Sequence, residues 1–402
     1  MSSRILADCH FRPGLTLLSA FPSALAPSTL ALAHSARLVD LIAREIQRTS
    51  WITFARYMEL ALYAPGLGYY SGGSTKFGDA GDFVTAPEIS PMFSQLLARQ
   101  VAQVLRATGG DVLELGAGSG RMAADVLASL AEMNQLPRRY GILEVSAELR
   151  ERQQERLVEL PKHLSERVHW IDALPDTFSG VILANEVFDA LPTHVVAWEN
   201  ERTLERGVGC KNNTLVWEQR ELPAGPLRTR ALEIAAAPPY ISEINLNAPA
   251  LVRSLAAMLQ QGVLLLIDYG FGAGEYYHPQ RSQGTLMCHI RHRTHDDPFY
   301  LPGLQDITSH VDFSTIAGAG IAAGMSLLGY TTQAQFLINL GITDLLEQTP
   351  ATDVASYAPL ASQAQKLLSP AEMGELFKVL ALGRGVAPAL QGFQSGDKSR
   401  LL

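Results

Sequence analysis

A chain of 402 residues with 47% apolar and 18% charged residues can bury one large α/β domain with additions, or two domains, and its composition suits a soluble globular protein. The net charge of −8, the scattered Lys and Arg, and the lack of any apolar run near the ~18 residues of a membrane span argue against a nucleic-acid partner and a transmembrane helix. Three distant cysteines, Cys9, Cys210 and Cys288, argue against a disulfide framework or a CxxC metal site and fit a reducing cytosol.

Residues 1–34 carry Pro13, Pro22 and Pro27, many Ser and Ala, and one acid, Asp8. They read as a disordered extension or a mis-called start rather than a transit-like presequence, because Pro22 breaks the apolar part. From Ser35 to Tyr57 the spacing of Leu38, Leu41, Ile42, Ile46 and Ile52 predicts a helix, so residues 35–107 read as a helical cap with a loop. Ala64–Ser74 and Gly78–Glu88 are rich in turn residues. Pro91 then opens a helix to about Ala107, at a position where its missing N–H is harmless.

The core is expected over 108–402. Val112–Leu115, Tyr140–Glu144, Val168–Asp172, Gly180–Ala184 and Val263–Ile267 read as strands, with helical patterns at Met122–Glu132 and Ala147–Leu160 between them. That alternation predicts a doubly wound, mostly parallel Rossmann-like sheet with right-handed crossovers. Val195–Glu199, Thr203–Val208 and Thr214–Glu218, joined by Asn-containing turns, predict a small β insertion at about 194–220. Met325–Tyr330 and Phe377–Leu382 read as two last strands among helical additions, and Asp306 or Thr308 as the cap of a helix that includes His310.

The sharpest chemical signal is Glu114-x-Gly116-x-Gly118-x-Gly120, between a strand and a helix. Glycines there permit a tight turn and close approach of the backbone to a ligand. The spacing is GxGxG and not the GxGxxG of dinucleotide enzymes. Acids end three successive strands. In methyltransferases an acid at the place of Glu114 faces the methionine part of the cofactor; Glu144 suits two ribose hydroxyls, and Asp172 suits an adenine amine. A ligand with an ammonium, a sulfonium, two hydroxyls and an adenine matches this set, so S-adenosylmethionine is the expected cofactor. A bound NAD is the alternative from a different enzyme class.

A second constellation, Asn185-Glu186-Val187-Phe188-Asp189-Ala190-Leu191-Pro192, follows the fourth strand, whose end lines the crevice of an open α/β sheet. For an arginine acceptor, Glu186 is suited to hold the guanidinium bidentately and localise its charge on the far nitrogens. Asp189 or Glu243 would add a second carboxylate, although Asp189 equally well caps the following turn. Asn185 serves the cofactor or the acceptor backbone. Gly81–Glu88 reads either as a lid over the cofactor or as a surface loop. The run Cys288, His289, His292, His295, Asp296 lacks a zinc spacing and is interleaved with Arg291 and Arg293, so no metal is expected.

Taken together, Tyr63–Tyr70, Gly81–Ser90, Leu113–Gly120, Asn185–Pro192, Ile267–Gly270 and Asp306–Phe313 resemble the MidA family of methyltransferases over about residues 35–390. One departure is Ser94, where the family pattern has Phe-Gly after the Pro-Glu-Ile-Ser run. The resemblance implies a class I methyltransferase fold. It also implies an arginine of a protein partner as acceptor; for the mitochondrial members this is a subunit of respiratory complex I. It makes Gly81, Asp82, Phe83 and Thr85 cofactor-facing. A bacterial cytoplasmic location is expected, with the mitochondrial matrix as the alternative. A small-molecule acceptor and a non-catalytic assembly role remain competing functions.

Overall fold

The computed structural model describes residues 27–72, 85–200, 202–386 and 389–402. Its strands in chain order are β1 (Ile52–Thr53), β2 (Asp111–Leu115), β3 (Tyr140–Leu143), β4 (Val168–Ile171), β5 (Phe178–Asn185), β6 (His194–Glu199), β7 (Arg202–Lys211) and β8 (Thr214–Glu221). They continue as β9 (Tyr240–Ile244), β10 (Leu259–Phe271), β11 (Met287–Ile290), β12 (Arg293–His295), β13 (Asp306–Thr308), β14 (Val311–Asp312), β15 (Ser326–Thr332) and β16 (Phe377–Arg384). The chain divides into two units. One comprises Phe77–Leu191, Leu246–Arg281 and Ser309–Leu402, and the other Met1–Lys76, Pro192–Asn245 and Ser282–Thr308. No helix among the described residues is long and apolar enough to cross a membrane.

The larger unit is built on a sheet ordered β4-β3-β2-β5-β10-β16-β15. The pairs β4–β3, β3–β2, β2–β5 and β5–β10 are parallel, and β16 runs antiparallel between β10 and β15. Strand side chains alternate between faces, and β10 shows why both faces are covered. Val263, Leu265 and Ile267 pack in one cluster with Leu97 and Val101 of helix Pro91–Thr108 and Leu127 of helix Arg121–Glu132. Leu264 and Leu266 pack in another with Val252 and Leu255 of helix Asn247–Met258 and Ile316 of helix Phe313–Ala322. Each such side chain contributes about 2 kcal/mol on burial, so the apolar run Val263–Ile267 commits β10 to the middle of the sheet. Helix Pro91–Thr108 shows how locally the elements are delimited. The Ser90 hydroxyl accepts from Met92 N at 3.3 Å, Pro91 takes the first helical position, and Gly109 ends the helix at φ 58°.

The smaller unit carries the sheet β1-β7-β6-β9, with β8 paired to β7, and the three-stranded sheet β12-β11-β13. Aromatic rings knit it together. Phe54 stacks on Trp217 at 5.0 Å between centroids, Trp217 meets Phe299 at 5.1 Å, and Tyr57 meets Phe299 edge-on at 5.2 Å. The Tyr57 hydroxyl donates to Pro298 O at 2.5 Å.

Several expectations change. Residues 29–34, expected in the extension, are helical: helix Thr29–Thr49 starts at Ser28, whose hydroxyl accepts from Ala31 N. Residues 1–26 lie outside the described residues. The helix expected over 35–57 stops at Ser50, which is left-handed at φ 67°; β1 follows and pairs with Val208 and Gly207, and a separate helix runs Phe54–Tyr63. The partner that pulls Ile52 out of the helix is about 150 residues away, so local periodicity does not reveal it. The β insertion extends past 220 to include β9. Of the expected cap, Pro91–Thr108 belongs to the larger unit and Phe54–Tyr63 to the smaller. Asp306 and Thr308 cap no helix, because they belong to β13; helix Phe313–Ala322 starts later, where Asp312 accepts from Thr315 N at 3.1 Å.

Candidate active site

The order of the sheet reverses between β2 and β5, since the crossover from β2 leads to β3 on one side while β5 lies on the other. Such a switch point opens a crevice at the carboxyl ends of the two strands. The glycine bend follows β2 and the loop from Asn185 follows β5, so topology brings both predicted constellations to one crevice.

Gly116, Gly118 and Gly120 have φ of 59°, 55° and 78°, all in the left-handed region that side chains resist. The bend is also crowded: a Cβ on Gly116 would come within 3.3 Å of Val187 Cγ2, and one on Gly120 within 3.3 Å of Gln153 Cα. Ser119 of the bend donates to Glu88, whose Oε1 also lies 3.7 Å from Arg156 Nη1.

Glu144 turns toward this bend. Its Oε1 accepts from Ser146 N and its Oε2 from Gln153 Nε2, both at 2.9 Å. Gln153 Nε2 also donates to Gly118 O at 3.0 Å, and Trp170 Nε1 donates to Gln153 Oε1 at 2.9 Å. Gln153 is thus the clamp between bend, carboxylate and β4. Sequence reading missed it because a glutamine in a charged helix has no motif around it. A cleft of about 390 Å³ is lined by Glu144, Val145, Arg150 and Asp172, among others. Asp172 is largely exposed and ion-paired to Arg150 Nη2 at 2.7 Å. Glu114 differs from both. It is 1% exposed and accepts from the Tyr140 hydroxyl at 2.6 Å; burial pushes its carboxyl up to about 7, against the pull of that hydrogen bond and with help from the charge of Glu144.

On the acceptor side, Glu186 is half-buried, and its φ of 51° is left-handed. Its Oε1 accepts weakly from Asn185 Nδ2 at 3.3 Å and from Ala86 N at 3.4 Å. Asp189 does not present an open carboxylate: it is 6% exposed, and the Tyr269 hydroxyl donates to its Oδ2 at 2.6 Å. Burial pushes Asp189 up to about 6, and the Tyr269 bond pulls it down. Glu243 lies in the smaller unit, where it accepts from Thr285 N, Thr285 Oγ1 and Leu286 N, so it works there as an anchor for residues 285–286. Thr85 is the N-terminal flank of the short helix Ala86–Ile89; Gly81, Asp82 and Phe83 lie outside the described residues.

Asp268 and Tyr269 stand at the tip of β10, in the Ile267–Gly270 segment to which the sequence alone assigns no role. Asp268 is fully buried, and its Oδ2 accepts from Phe188 N at 3.0 Å and Asp189 N at 3.3 Å, with Oδ1 accepting from Tyr269 N at 2.9 Å. His310 packs against the rings of Tyr269 and Phe271 at 5.3 and 5.2 Å, and burial lowers it to about 4, so it is neutral near pH 7. In the smaller unit Cys288 faces His295 across the β11–β12 hairpin, and burial raises the thiol and lowers His289 and His295. Among the described residues no group of three or more His, Cys, Asp or Glu is arranged to hold a metal.

The donor set fits S-adenosylmethionine. Acceptors predominate at the strand tips, and Asn185 Oδ1 is buried there with no hydrogen-bond partner among the described residues. A cationic, hydroxyl-bearing nucleoside supplies the donors such a site lacks.

Comparison with known proteins agrees. The family model Methyltransf_28, "Putative S-adenosyl-L-methionine-dependent methyltransferase", matches residues 96–331. The "Protein arginine methyltransferase NDUFAF7, mitochondrial" of Danio rerio is 30% identical over 385 residues, covering 85% of each chain. The human protein of that name is 28% identical, covering 84% of this chain and 81% of its own. A crystal structure of a COG1565 superfamily member and likely methyl transferase from Burkholderia thailandensis, bound to S-adenosyl-homocysteine, is 50% identical and superposes with a TM-score of 0.91, covering 94% of this chain and 99% of that one. The α/β fold expected from the sequence is therefore that of the class I methyltransferases, and the NAD reading is set aside. By family match, relatives and fold together, the chain belongs to the MidA family of S-adenosylmethionine-dependent methyltransferases.

Proposed function

We propose that this methyltransferase acts on an arginine side chain of a protein partner, with Glu186 as the acceptor-holding carboxylate. The observation that carries the reading is the place of Glu186: a half-buried carboxylate at the tip of β5, beside the glycine bend, at the switch point of the sheet. Relatives named protein arginine methyltransferases support it, and the family resemblance makes a subunit of respiratory complex I the first acceptor to examine.

The cofactor supplies an electrophilic methyl group on a sulfonium. The chain's own residues do the rest. Glu144, held by Ser146 N and Gln153, accepts from the two ribose hydroxyls, while Asp172 accepts from the adenine amine. Gly116, Gly118 and Gly120 let the backbone approach, and Glu114, once ionised, faces the ammonium group. Asn185 Oδ1 takes a donor from cofactor or acceptor. Glu186 pairs with the guanidinium, holds its charge on the two nearer nitrogens and leaves the third nitrogen aimed at the methyl group. The proton released from that nitrogen passes to a Glu186 oxygen or to water. Thr85 frames the start of Ala86–Ile89, whose Ala86 N–H reaches Glu186.

The test uses the purified protein, tritium-methyl S-adenosylmethionine and proteins from cells that lack the gene. Label is expected in a discrete protein band, recovered as methylarginine on hydrolysis. Glu186→Gln is expected to lower it at least 100-fold while the Kd for S-adenosylhomocysteine moves less than threefold. Label confined to small molecules, or a Glu186→Gln variant with full transfer, overturns the proposal.

A further inference from the structure

We propose that Asp268 is a positioning residue for methyl transfer: its buried carboxylate holds the backbone that keeps Glu186 in its left-handed conformation. The inference rests on Glu186 being the acceptor carboxylate, and deepens that reading.

A non-glycine residue at φ 51° is held against a steric penalty, so the surrounding structure must impose it. Glu186 N still extends the β5–β10 ladder, donating to Ile267 O at 2.9 Å. The chain then leaves the sheet, and the next amides lose their ladder partners. Two of them, Phe188 N and Asp189 N, converge on one oxygen of Asp268, and Tyr269 N takes the other. The Phe188 side chain is 1% exposed in the cluster of Leu113, Ile182 and Val252, so this end of the loop is fixed by packing as well. Asp189 closes the loop from both ends: its carboxylate accepts from the Tyr269 hydroxyl, and its carbonyl accepts from Ser309 N at 3.0 Å. Glu186 is thus the pivot between a strand that ends at Asn185 and a loop tied to the tip of β10.

Asp189 and Glu186 both face Asp268 and, after burial itself, raise its carboxyl well above the usual range, while the backbone N–H groups pull it down. Lys378 stands opposite Asp268 in the β10–β16 register, yet its ammonium donates to Glu375 O and Leu376 O. The carboxylate is therefore spent on the loop backbone. Asparagine in its place presents one carbonyl oxygen and turns an NH2 group toward the remaining amide donors.

Asp268→Asn is examined as the full chain with S-adenosylhomocysteine bound, by calorimetry, by hydrogen exchange of the peptide 186–190 and by the tritium-transfer assay. Methyl transfer is expected to fall at least 30-fold, exchange across 186–190 to quicken at least tenfold, and the Kd for S-adenosylhomocysteine to change less than threefold. A merely structural role would weaken cofactor binding and speed exchange at 116–120 in step with the loss of transfer, and that result overturns the proposal. Unchanged exchange at 186–190 overturns it too. Asp268→Ser is the second variant should Asp268→Asn not fold. Its short hydroxyl cannot reach the amides that Asp268 holds, and it is expected to lower transfer about tenfold with faster exchange at 186–190; full transfer with unchanged exchange overturns the proposal. If the wild-type chain labels no protein, the acceptor assignment fails by itself, while the exchange measurement still reads the hold of Asp268 on the loop.

Discussion

Two groups of carboxylates sit at the strand tips of the same sheet and behave differently. At β3 and β4, Glu144 and Asp172 line an open cleft, and each is steadied by a neighbouring side chain, Gln153 or Arg150. At β5 and β10, Asp189 and Asp268 are buried and take donors across the two strand tips: the Tyr269 hydroxyl for Asp189, and Phe188 N and Asp189 N for Asp268. The first pair is placed to meet a ligand, the second to hold the loop that meets one. A strand-tip acid is therefore not a binding group by its position alone; what decides is whether it lines a cleft, as Glu144 does even with a protein donor on each oxygen.

The contrast is broken most forcefully at β10. Asp268→Ala leaves two buried N–H groups and one part-buried one without their acceptor and is expected to lower unfolding stability by about 3 kcal/mol in urea titration. Glu144→Ala acts on ligand and fold together: cofactor affinity is expected to fall about 30-fold by calorimetry, and stability by about 2 kcal/mol because Ser146 N and Gln153 Nε2 lose their acceptor. Glu114 sharpens the comparison, because it is buried like the second pair yet placed on the cofactor side. Its raised carboxyl, near 7 against a usual 4.5, is protonated at pH 6 and ionised at pH 8. A bound ammonium favours the ionised form, so S-adenosylhomocysteine is expected to bind about tenfold more tightly at pH 8 than at pH 6, and Glu114→Gln to flatten that dependence. The sign for folding is opposite: the contribution of Glu114 to stability is complete below about 4.5 and is lost as the pH rises through about 7. Asp172→Asn gives the smallest effect. The exposed, ion-paired side chain is expected to change affinity no more than about threefold and stability by less than ~0.5 kcal/mol.

Much of this arrangement is legible in the chain. Alternation of apolar strands with amphipathic helices gives the parallel sheet, and three glycines spaced by two give the bend, because both are local consequences of side-chain period and backbone sterics. The acids at Glu114, Glu144 and Asp172 could be placed at strand ends by counting residues. Their environments could not. Tyr140 reaches Glu114 from the adjacent strand, and Gln153 reaches Gly118 from a helix 35 residues on. Asp189 offered two readings in sequence, a capping group or a second acceptor carboxylate. Tyr269, 80 residues away, engages its carboxylate instead.

The class of fold, the glycine bend and the loop that carries Glu186 follow from neighbours within a few residues along the chain. Which acids line the cleft and which sit buried against the loop after β5 emerges only on packing, which also brings Asp268 beneath that loop. Burial and hydrogen-bond partnership at these positions come from strands that lie side by side in the sheet, and β5 and β10 become neighbours only when the sheet is assembled.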